Sequence, residues 1–372
     1  MEVLISGASM AGLSAAYWFA RLGHRVTVVE RADGLRPGGA PIDVRGRALG
    51  TAQRMGILTK IADEKVTILE PSPVLDGTGT QVATLDLRWF ANETDEDIEI
   101  SRDRLNQILL GVIPDDVEFR FKASIASIAD RAGGVDVAFA DGLHGRYDLV
   151  VGADGLHSNV RKLAFGPEKD YVRHFGYYVA LVDLPRDREW HRGMLNIPGL
   201  TIAVRDAGDG PQGMMLAASA ELDCDYRDLD AHRTMIGGFL SRVDAWQVSA
   251  LRAAFTDPTA KGFYFDSVSQ THMPSWINGS VAVIGDAGHC AALLSGMGTT
   301  LAMVAAETLA TTWTEYDGDT RAASATYHER LRPYVEQCQA FAQEGAPIMV
   351  PATQEALDER NATFRAQAAR FA

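Results

Sequence analysis

Residues 2–31 read EVLISGASMAGLSAAYWFARLGHRVTVVER, and this stretch decides the fold. A short apolar run, Val3–Ile5, leads into a glycine turn. Apolar residues at helical spacing follow until Gly23, a natural helix C-cap. A second apolar run, Val26–Val29, comes next. Continuous apolar runs are typical of parallel strands that helices cover on both faces. The stretch therefore predicts a strand, a helix and a second, parallel strand.

The turn between the first strand and the helix predicts a pyrophosphate site. Gly7 and Gly12 occupy the first and third glycine positions of a dinucleotide-binding turn. Ser9 occupies the second position and adds a hydroxyl that can bond a phosphate oxygen. Glu30 ends the second strand, where a carboxylate can bind two ribose hydroxyls. The stretch predicts dinucleotide binding but does not distinguish FAD from NAD.

Composition and charge exclude several classes of function. With 372 residues, the chain has room for two domains or for one large domain with an insertion. A net charge of -14 disfavours nucleic acid or an anionic membrane surface as a partner. No apolar run approaches the roughly 18 residues of a membrane span, and no basic leader precedes the first strand. The scattered cysteines predict neither a disulfide framework nor a metal site. We expect a cytoplasmic protein.

The remaining pattern predicts an α/β domain that is interrupted by antiparallel strands. Val281–Ile284 repeats the buried parallel-strand pattern, so the sheet that residue 3 opens is completed after residue 280. Antiparallel strands are predicted within 165–276, with helices near 228–256. The predicted cofactor-binding domain consists of residues 1–65, 99–165 and 277–372. The predicted substrate domain consists of residues 66–98 and 166–276.

Some finer elements are also predicted. Helices are expected over Arg47–Ile61 and Thr299–Trp313, and Ser101 is expected to cap a helix that begins at Arg102. A meander of three strands joined by hairpins is predicted for Val117–Phe121, Val135–Ala140 and Tyr147–Val151.

Two more glycine-containing turns follow predicted strands. In GADG, residues 152–155, Asp154 can contact a nucleotide or merely cap the next helix, and Arg161 suits the same polar contacts. In GDAGH, residues 285–289, Asp286 can accept hydrogen bonds from ribityl hydroxyls. The backbone N–H groups of Gly296, Met297 and Gly298 precede a helix, where they can stabilise negative charge on a reduced flavin.

Together the three motifs resemble the class A FAD-dependent monooxygenases, which have the p-hydroxybenzoate hydroxylase fold. The resemblance spans nearly the whole chain and implies a Rossmann-like FAD-binding domain with an inserted antiparallel β-sheet substrate domain. The residues it implies in FAD binding are Gly7, Ser9, Gly12, Glu30, Arg31, Arg102, Asp154, Asp286, Gly296, Met297 and Gly298. Residues 38–43, GGAPID, look like a loop of the tetracycline-inactivating monooxygenases. That likeness implies that Asp43 contacts the flavin and that Arg36 lies at the nicotinamide site.

The resemblance implies a hydroxylase that uses FAD, NADPH or NADH, and O₂ on an aromatic or polyketide-like small molecule, as a monomer or a homodimer. Two alternatives stay open: a flavin reductase or oxidase without oxygen insertion, and a non-redox protein that uses FAD as a scaffold, for example a cyclase. We expect His289 to be structural and Cys290 to be an inert thiol. One departure stands out, because Leu293 occupies the place of a proline that the family has beside the flavin's reactive edge.

Overall fold

A computed structural model of the chain describes residues 1–35, 41–66, 71–86, 97–207, 210–317 and 319–371. The strands in these ranges are β1 (Glu2–Ser6), β2 (Arg25–Glu30), β3 (Pro41–Val44), β4 (Ser72–Leu75), β5 (Gln81–Leu85), β6 (Ile98–Ser101), β7 (Glu118–Phe121), β8 (Ile125–Arg131), β9 (Gly134–Phe139), β10 (His144–Tyr147), β11 (Leu149–Gly152), β12 (Val172–Asp183), β13 (Gly193–Ile197), β14 (Leu200–Asp206), β15 (Pro211–Ala218), β16 (Tyr264–Thr271), β17 (Ile277–Asn278) and β18 (Val281–Val283).

The helices are α1 (Met10–Arg21), α2 (Arg47–Arg54), α3 (Leu58–Asp63), α4 (Arg102–Leu110), α5 (Asn159–Ala164), α6 (Leu229–Leu240), α7 (Val248–Thr256), α8 (Asp286–His289), α9 (Gly298–Glu315), α10 (Thr320–Met349) and α11 (Gln354–Phe371), with 3₁₀ turns at Glu168–Asp170 and Leu293–Ser295.

The central sheet is parallel and carries the three glycine turns. Its strand order is β17-β18-β11-β1-β2-β7, and only β17 runs antiparallel to its neighbour. Ile5 lies opposite Val28 on one side and Val151 on the other, and all three are fully buried. The carboxyl ends of β1, β11 and β18 share one edge, because the strands are parallel. This confirms the predicted Rossmann-like sheet that strands after residue 280 complete.

A second sheet is built mainly from the inserted segment. Its seven strands run in the order β16-β12-β15-β14-β13-β4-β5 and are antiparallel except where β13 meets β4. One face packs on α6 and α7 through side chains such as Val182 and Ile202. The other face, which we call the inner face, packs on residues 292–294 and on α10 and α11 through side chains such as Leu216 and Ala203. The predicted antiparallel substrate sheet is confirmed.

The predicted meander is wrong in its membership. β7 pairs in parallel with β2, and β11 lies between β1 and β18, so both strands belong to the central sheet. The antiparallel meander consists instead of β8, β9 and β10. The pattern does not reveal β8, because its sequence IASIADR has small or polar side chains at mostly exposed positions. Apolar alternation, the usual mark of a strand, is weak there.

Two helix predictions also need correction. The segment predicted as one helix over Arg47–Ile61 forms α2 and α3, because Gly56 between them has a φ of +73°. This left-handed conformation suits glycine and ends a helix. Ser101 does occupy the N-cap position of α4, but its hydroxyl makes no capping hydrogen bond.

None of the helices in the described part of the chain combines the length and the hydrophobicity that crossing a membrane would need. Within the same residues, no cluster of three or more His, Cys, Asp or Glu side chains could hold a metal ion. The cysteines, Cys224, Cys290 and Cys338, are free thiols.

Candidate functional site

Three turns meet at the carboxyl edge of the central sheet. A Cβ on Gly7 would lie 2.4 Å from the Ala153 carbonyl oxygen, so only glycine lets the first turn pass the GADG turn this closely. A Cβ on Gly285 would lie 2.8 Å from the Cβ of Ala11, so the Gly-Asp turn also abuts the first turn. The Ala153 N–H donates to the Ser6 carbonyl at 2.8 Å. The three sequence motifs therefore form one continuous site.

The N-terminus of α1 offers donors to an anion. Ser9 is exposed at the N-cap, and its hydroxyl makes no capping hydrogen bond. The helix's first hydrogen bond runs from the Leu13 N–H to the Ser9 carbonyl, at 2.8 Å. The N–H groups of residues 10–12 consequently have no acceptor within the helix. A Cβ on Gly12 would lie 1.8 Å from the Gly7 carbonyl oxygen, which excludes any other residue there. Free N–H groups and the helix dipole favour a bound phosphate.

Glu30 lies beside the same turn with spare acceptor capacity. The Ala8 N–H donates to Oε2 of Glu30 at 2.9 Å, and the Ala32 N–H donates to Oε1 at 2.9 Å. These two bonds hold the carboxylate in place at the end of β2. A carboxylate offers about four acceptor sites, so two remain for hydroxyl donors such as those of a ribose.

Asp43 and Gly296 are brought together although they are far apart in sequence. A Cβ on Gly296 would lie 3.3 Å from Oδ2 of Asp43. The same carboxylate oxygen pairs with Arg45 at 2.9 Å. The Thr300 hydroxyl donates to the Arg45 carbonyl at 3.2 Å, which ties the end of β3 to α9. Burial raises the pKa of Asp43, and Arg45 opposes that shift. The acid that was predicted to contact the flavin thus borders the glycine turn that was predicted to do the same.

The free backbone donors at this glycine turn are not the ones predicted. The Gly296 N–H donates to the Leu293 carbonyl at 3.1 Å, and the Met297 N–H donates to Oγ of Ser295 at 3.1 Å. The first hydrogen bond within α9 runs from residue 301 to residue 297. The N–H groups of residues 298–300 therefore lack an intrahelical acceptor. Of the three predicted donors, Gly298 alone keeps its N–H available among the described contacts.

Asp154 serves the fold directly. Its carboxylate accepts hydrogen bonds from the Ser158 hydroxyl at 2.5 Å, the Asn159 N–H at 2.9 Å and the Val160 N–H at 3.0 Å. Burial raises the pKa of Asp154, while these bonds oppose the shift. Capping of α5 is one of the two roles that the sequence left open. A direct contact between Asp154 and the cofactor stays a prediction.

Arg161 is fully buried and bonds to protein atoms rather than facing a ligand site. Its guanidinium donates to the Ala287 carbonyl at 2.9 Å, to the Leu156 carbonyl at 2.5 Å and to Glu168 at 3.2 Å. Ala287 belongs to the Gly-Asp turn and Leu156 follows the GADG turn. The expected polar contact of Arg161 with a nucleotide is therefore replaced by a bridge between the two turns.

Asp286 begins α8, and its side chain is accessible. The surrounding protein raises its pKa by desolvation, and a hydrogen bond with the Cys290 thiol opposes the shift. Behind it, His289 is fully buried and meets the Trp276 ring edge-on at 5.4 Å. Burial lowers the pKa of His289 to about 3, so this ring is neutral. Asp286 is thus the member of the motif that can reach a ligand.

The three predicted arginine contacts fall in different places. Arg102 begins α4 directly after Ser101, which lies opposite Pro41 in the pair of β3 and β6. It is half-buried next to the strand that carries Asp43. Arg31 is exposed immediately after Glu30. Arg36 lies outside the described residues.

His157 has a role that the sequence reading missed. Its ring nitrogens lie 3.0 Å from Oε1 of Glu168 and 3.2 Å from Oδ1 of Asp266, and the ring stacks on Tyr226 at 4.0 Å. Burial would lower its pKa, but the hydrogen bonds to Asp266 and Glu168 outweigh it and raise the pKa to about 9. The imidazolium thereby links the GADG turn to β16. Its place in the GADGLHS sequence is the one signal that could have pointed to it.

The inner face of the second sheet carries a cation beside apolar side chains. Arg205, on β14, is half-buried and donates to Oε1 of Gln212 at 3.0 and 3.3 Å. Burial lowers its pKa, and the nearby charges of Glu99 and Asp43 oppose the shift. Met214, the next residue on β15 that faces the same way, packs among apolar side chains. The interaction with Asp43 places Arg205 on the side of the sheet that looks toward the glycine turn.

These residues fit FAD. The α1 N-terminus suits the pyrophosphate, Glu30 the ribose, Asp286 the ribityl chain and the α9 N-terminus the flavin pyrimidine. FAD, when bound, supplies the electron transfer and the reaction with O₂. The protein's own part is to hold the cofactor, to place donors where negative charge develops and to exclude water.

Comparisons with known proteins agree with this geometry. A family model described as an FAD binding domain matches residues 1–183. The uncharacterized protein Rv1260 of Mycobacterium tuberculosis (strain ATCC 25618 / H37Rv) is 37% identical over 95% of this chain and 95% of its own length. A flavin-dependent monooxygenase of Legionella longbeachae is 31% identical over 92% of this chain and 87% of its own length.

Solved structures give the same result. The tetracycline destructase Tet(51) superposes with a TM-score of 0.83 at 29% identity, covering 98% of this chain and 96% of the other. Tet(55) superposes with a TM-score of 0.83 at 30% identity, covering 97% and 94%. Both relationships extend over the two sheets and the C-terminal helices. The resemblance inferred from the three motifs is thereby confirmed, and both open alternatives give way to it. This chain belongs to the flavin-dependent monooxygenases with an FAD binding domain, and it is an FAD-dependent monooxygenase.

Proposed function

We propose that the enzyme uses NADPH or NADH together with O₂ to hydroxylate an aromatic or polyketide-like small molecule. The substrate would bind between the inner face of the second sheet and the turn formed by Asp43 and Gly296. The residues predicted in FAD binding are part of the same proposal.

Arg205 is the observation that carries the proposal. Its guanidinium bonds directly to a neutral amide oxygen, that of Gln212, on a face whose neighbours include Met214 and Ala203. A flat, mostly apolar molecule with a phenolate or enolate oxygen complements such a surface, because the ring system packs on the apolar side chains and the anionic oxygen meets the cation. Such oxygens also make a ring electron-rich, which suits hydroxylation.

The relatives support the same substrate class. Tet(51) and Tet(55) are tetracycline destructases, and tetracycline is a polycyclic molecule with several ionisable oxygens. Their identity of about 30% to this chain leaves the detailed shape of the pocket free to differ. We therefore propose the same class of substrate for this enzyme, and we do not propose tetracycline itself.

Nicotinamide is proposed as the electron source because the flavin must be reduced before O₂ can react. The test is a screen in which NADPH and NADH consumption by the FAD-loaded enzyme is followed with a panel of phenols, quinones and polycyclic β-diketones. At least one anionic polycyclic compound should accelerate consumption and gain one oxygen atom by mass spectrometry.

The role of Arg205 is tested in the same assay. Arg205→Met should raise KM for the accepted substrate about tenfold or more, since a charge-assisted hydrogen bond contributes about 1.5–3 kcal/mol. The KM of Arg205→Lys should lie between those of the wild-type enzyme and Arg205→Met. Flavin reduction that no compound accelerates, or a KM that is unchanged in Arg205→Met, would contradict the proposal.

A further inference from the structure

Residues 290–295 connect the Gly-Asp turn to the Gly296 turn, and they contain no proline. This connecting segment joins the two parts of the site that face the ribityl chain and the flavin. Leu293 within it is 51% exposed, so its side chain adds little packing. Something other than proline or a packed Leu293 must hold the segment in place.

Two buried glutamines contact the connecting segment. Gln339, on α10, donates from Nε2 to the Cys290 carbonyl at 3.1 Å and to the Thr271 carbonyl at 2.9 Å. Gln270, on β16, donates from Nε2 to the Ala291 carbonyl at 3.2 Å and to the Gln339 carbonyl at 2.8 Å. Their exposed fractions are 8% and 6%. The carbonyl groups of two consecutive residues, Cys290 and Ala291, therefore accept hydrogen bonds from two glutamine side chains. These glutamines are also hydrogen-bonded to each other.

Backbone bonds reinforce the same network. The Thr271 N–H donates to the Cys290 carbonyl at 3.1 Å, and Gln270 forms an isolated bridge with Ala291. His272 supports Gln270 from the other side, with its Nε2 3.0 Å from Oε1 of the glutamine. The connecting segment is therefore fastened to the second sheet and to α10 at once.

The conformation that this network holds is a strained one. Ala292 has a φ of +70° and a ψ of 148°, in a region that is nearly restricted to glycine. Such a residue costs about 1–3 kcal/mol and persists only where its surroundings fix it. The next residues form a 3₁₀ turn in which the Ser295 hydroxyl and N–H both donate to the Ala292 carbonyl, at 2.7 and 3.1 Å. Ser295 in turn accepts the Met297 N–H, so the strain at Ala292 is coupled to the turn beside α9.

We propose that Gln270 and Gln339 are positioning residues that hold the connecting segment, and thereby the Gly296 turn and the free N–H of Gly298 at the start of α9, in the geometry that binds flavin. Both side chains are buried, and the hydrogen bonds that their Nε2 groups donate go to backbone carbonyls. Their hydrogen bonds provide the restraint that a proline in the segment would provide through its fixed φ.

A proline at position 293 can test whether a fixed φ replaces the restraint that the glutamine hydrogen bonds provide. Leu293 is the first residue of a 3₁₀ turn, and residues in such turns generally have a φ of about -50 to -70°, a range that includes the value proline requires. No hydrogen bond from its N–H is present among the described contacts, so proline would remove nothing there. Leu293→Pro should therefore be compatible with the observed backbone.

The main variant is Gln339→Met, which keeps length and volume but removes both donated hydrogen bonds. We expect hydrogen exchange at residues 290–298 of the FAD-free protein to become about tenfold faster or more, because the local opening free energy falls. The affinity for FAD should weaken by about tenfold, and the absorbance bands of the bound flavin should shift. The inference rests on the proposed FAD site, but neither measurement requires a substrate or a nicotinamide, so the outcome is independent of the proposed substrate and electron donor.

The decisive arm is the double variant Gln339→Met with Leu293→Pro. It should recover slow exchange and most of the FAD affinity, which a general loss of stability would not allow. The matched control is Gln247→Met, since Gln247 is also buried and bonds to the His191 backbone at 2.6 and 3.2 Å, but far from the segment. If Gln339→Met does not fold, Gln270→Met tests the same network with the same rescue. Unchanged exchange at 290–298, an equal effect in the control, or failure of the proline to rescue would overturn the proposal.

Discussion

The positive charge of protonated His157 contributes to the stability of the folded enzyme. The pKa of His157 is about 9, against an ordinary value of 6.5, because the pull of Asp266 and Glu168 exceeds the cost of burial. The stabilisation is therefore complete below pH 6.5 and is lost as the pH rises through 9. His157→Asn should lower the free energy of unfolding by about 1–2 kcal/mol at pH 6, allowing for the exposure of Glu168, and by progressively less toward pH 9. Urea unfolding of the FAD-free protein at several pH values measures this. His144→Asn, at an exposed site, is the control. A deficit that is the same at all pH values would show that the charge is not responsible.

Glu30 and Asp286 are two carboxylates of the site that can accept hydrogen bonds from a ligand. Glu30→Ala and Asp286→Ala should each weaken FAD binding by about 1–3 kcal/mol, the range for removing a charged acceptor from its partners. Quenching of flavin fluorescence gives the dissociation constants. Asp103→Ala, on α4, where the half-buried carboxylate accepts a hydrogen bond from Gln107, should leave the affinity unchanged. Wild-type affinity in both site variants would mean that the cofactor lies elsewhere.

At the scale of the element, two glycines at helix starts serve different purposes. A Cβ on Gly12 would collide with the Gly7 carbonyl, whereas a Cβ on Gly298 would meet nothing within 4 Å. Gly12→Ala should therefore destabilise the FAD-free protein by about 2 kcal/mol or more, a magnitude typical of overpacking. Gly298→Ala should leave its stability unchanged or raise it by up to about 1 kcal/mol, yet weaken FAD binding, because the added methyl group would lie where we propose that the α9 N-terminus meets the cofactor. Thermal unfolding with and without FAD separates the two effects. Equal losses of stability would contradict this distinction.

At the scale of the whole molecule, we predict that the described site holds one FAD per chain without a covalent link. The purified protein should be yellow, and its flavin should appear in the supernatant after acid precipitation. At FAD concentrations about one hundred times the dissociation constant, binding should add about 2.7 kcal/mol to the free energy of unfolding. Flavin that stays with the precipitated protein would refute the non-covalent part, and a folded protein that never binds FAD would refute the placement of the site.

The sequence predicted what local chemistry controls and missed what distant packing controls. Gly7, Glu30 and Asp286 lie at or just after the ends of buried strands. The sheet edge that they share could therefore be inferred from the hydrophobic pattern of the sequence and the order of the predicted elements. The assignment of β7 to the central sheet could not, because it depends on pairing with β2 across a long stretch of chain. The loss of the Met297 donor could not either, since it depends on which way the Ser295 hydroxyl turns. The sequence also could not show that Arg161 is buried and bonds to the Ala287 and Leu156 carbonyls, because these contacts depend on how two distant turns pack together.

The order of strands in the central sheet has a consequence for how the protein is made. β1 leaves the ribosome before the other strands of its sheet, but the sheet gains β18 only after the whole second sheet has been synthesised. The first turn of the cofactor site therefore stays incomplete until the Gly-Asp turn, which lies far along the chain, has been synthesised. During translation the second sheet can pack on α6 and α7 before β18 is made, but its inner face, like the cofactor site, is completed only by residues after 290. FAD can therefore bind only after the Gly-Asp turn and the Gly296 turn have both been synthesised.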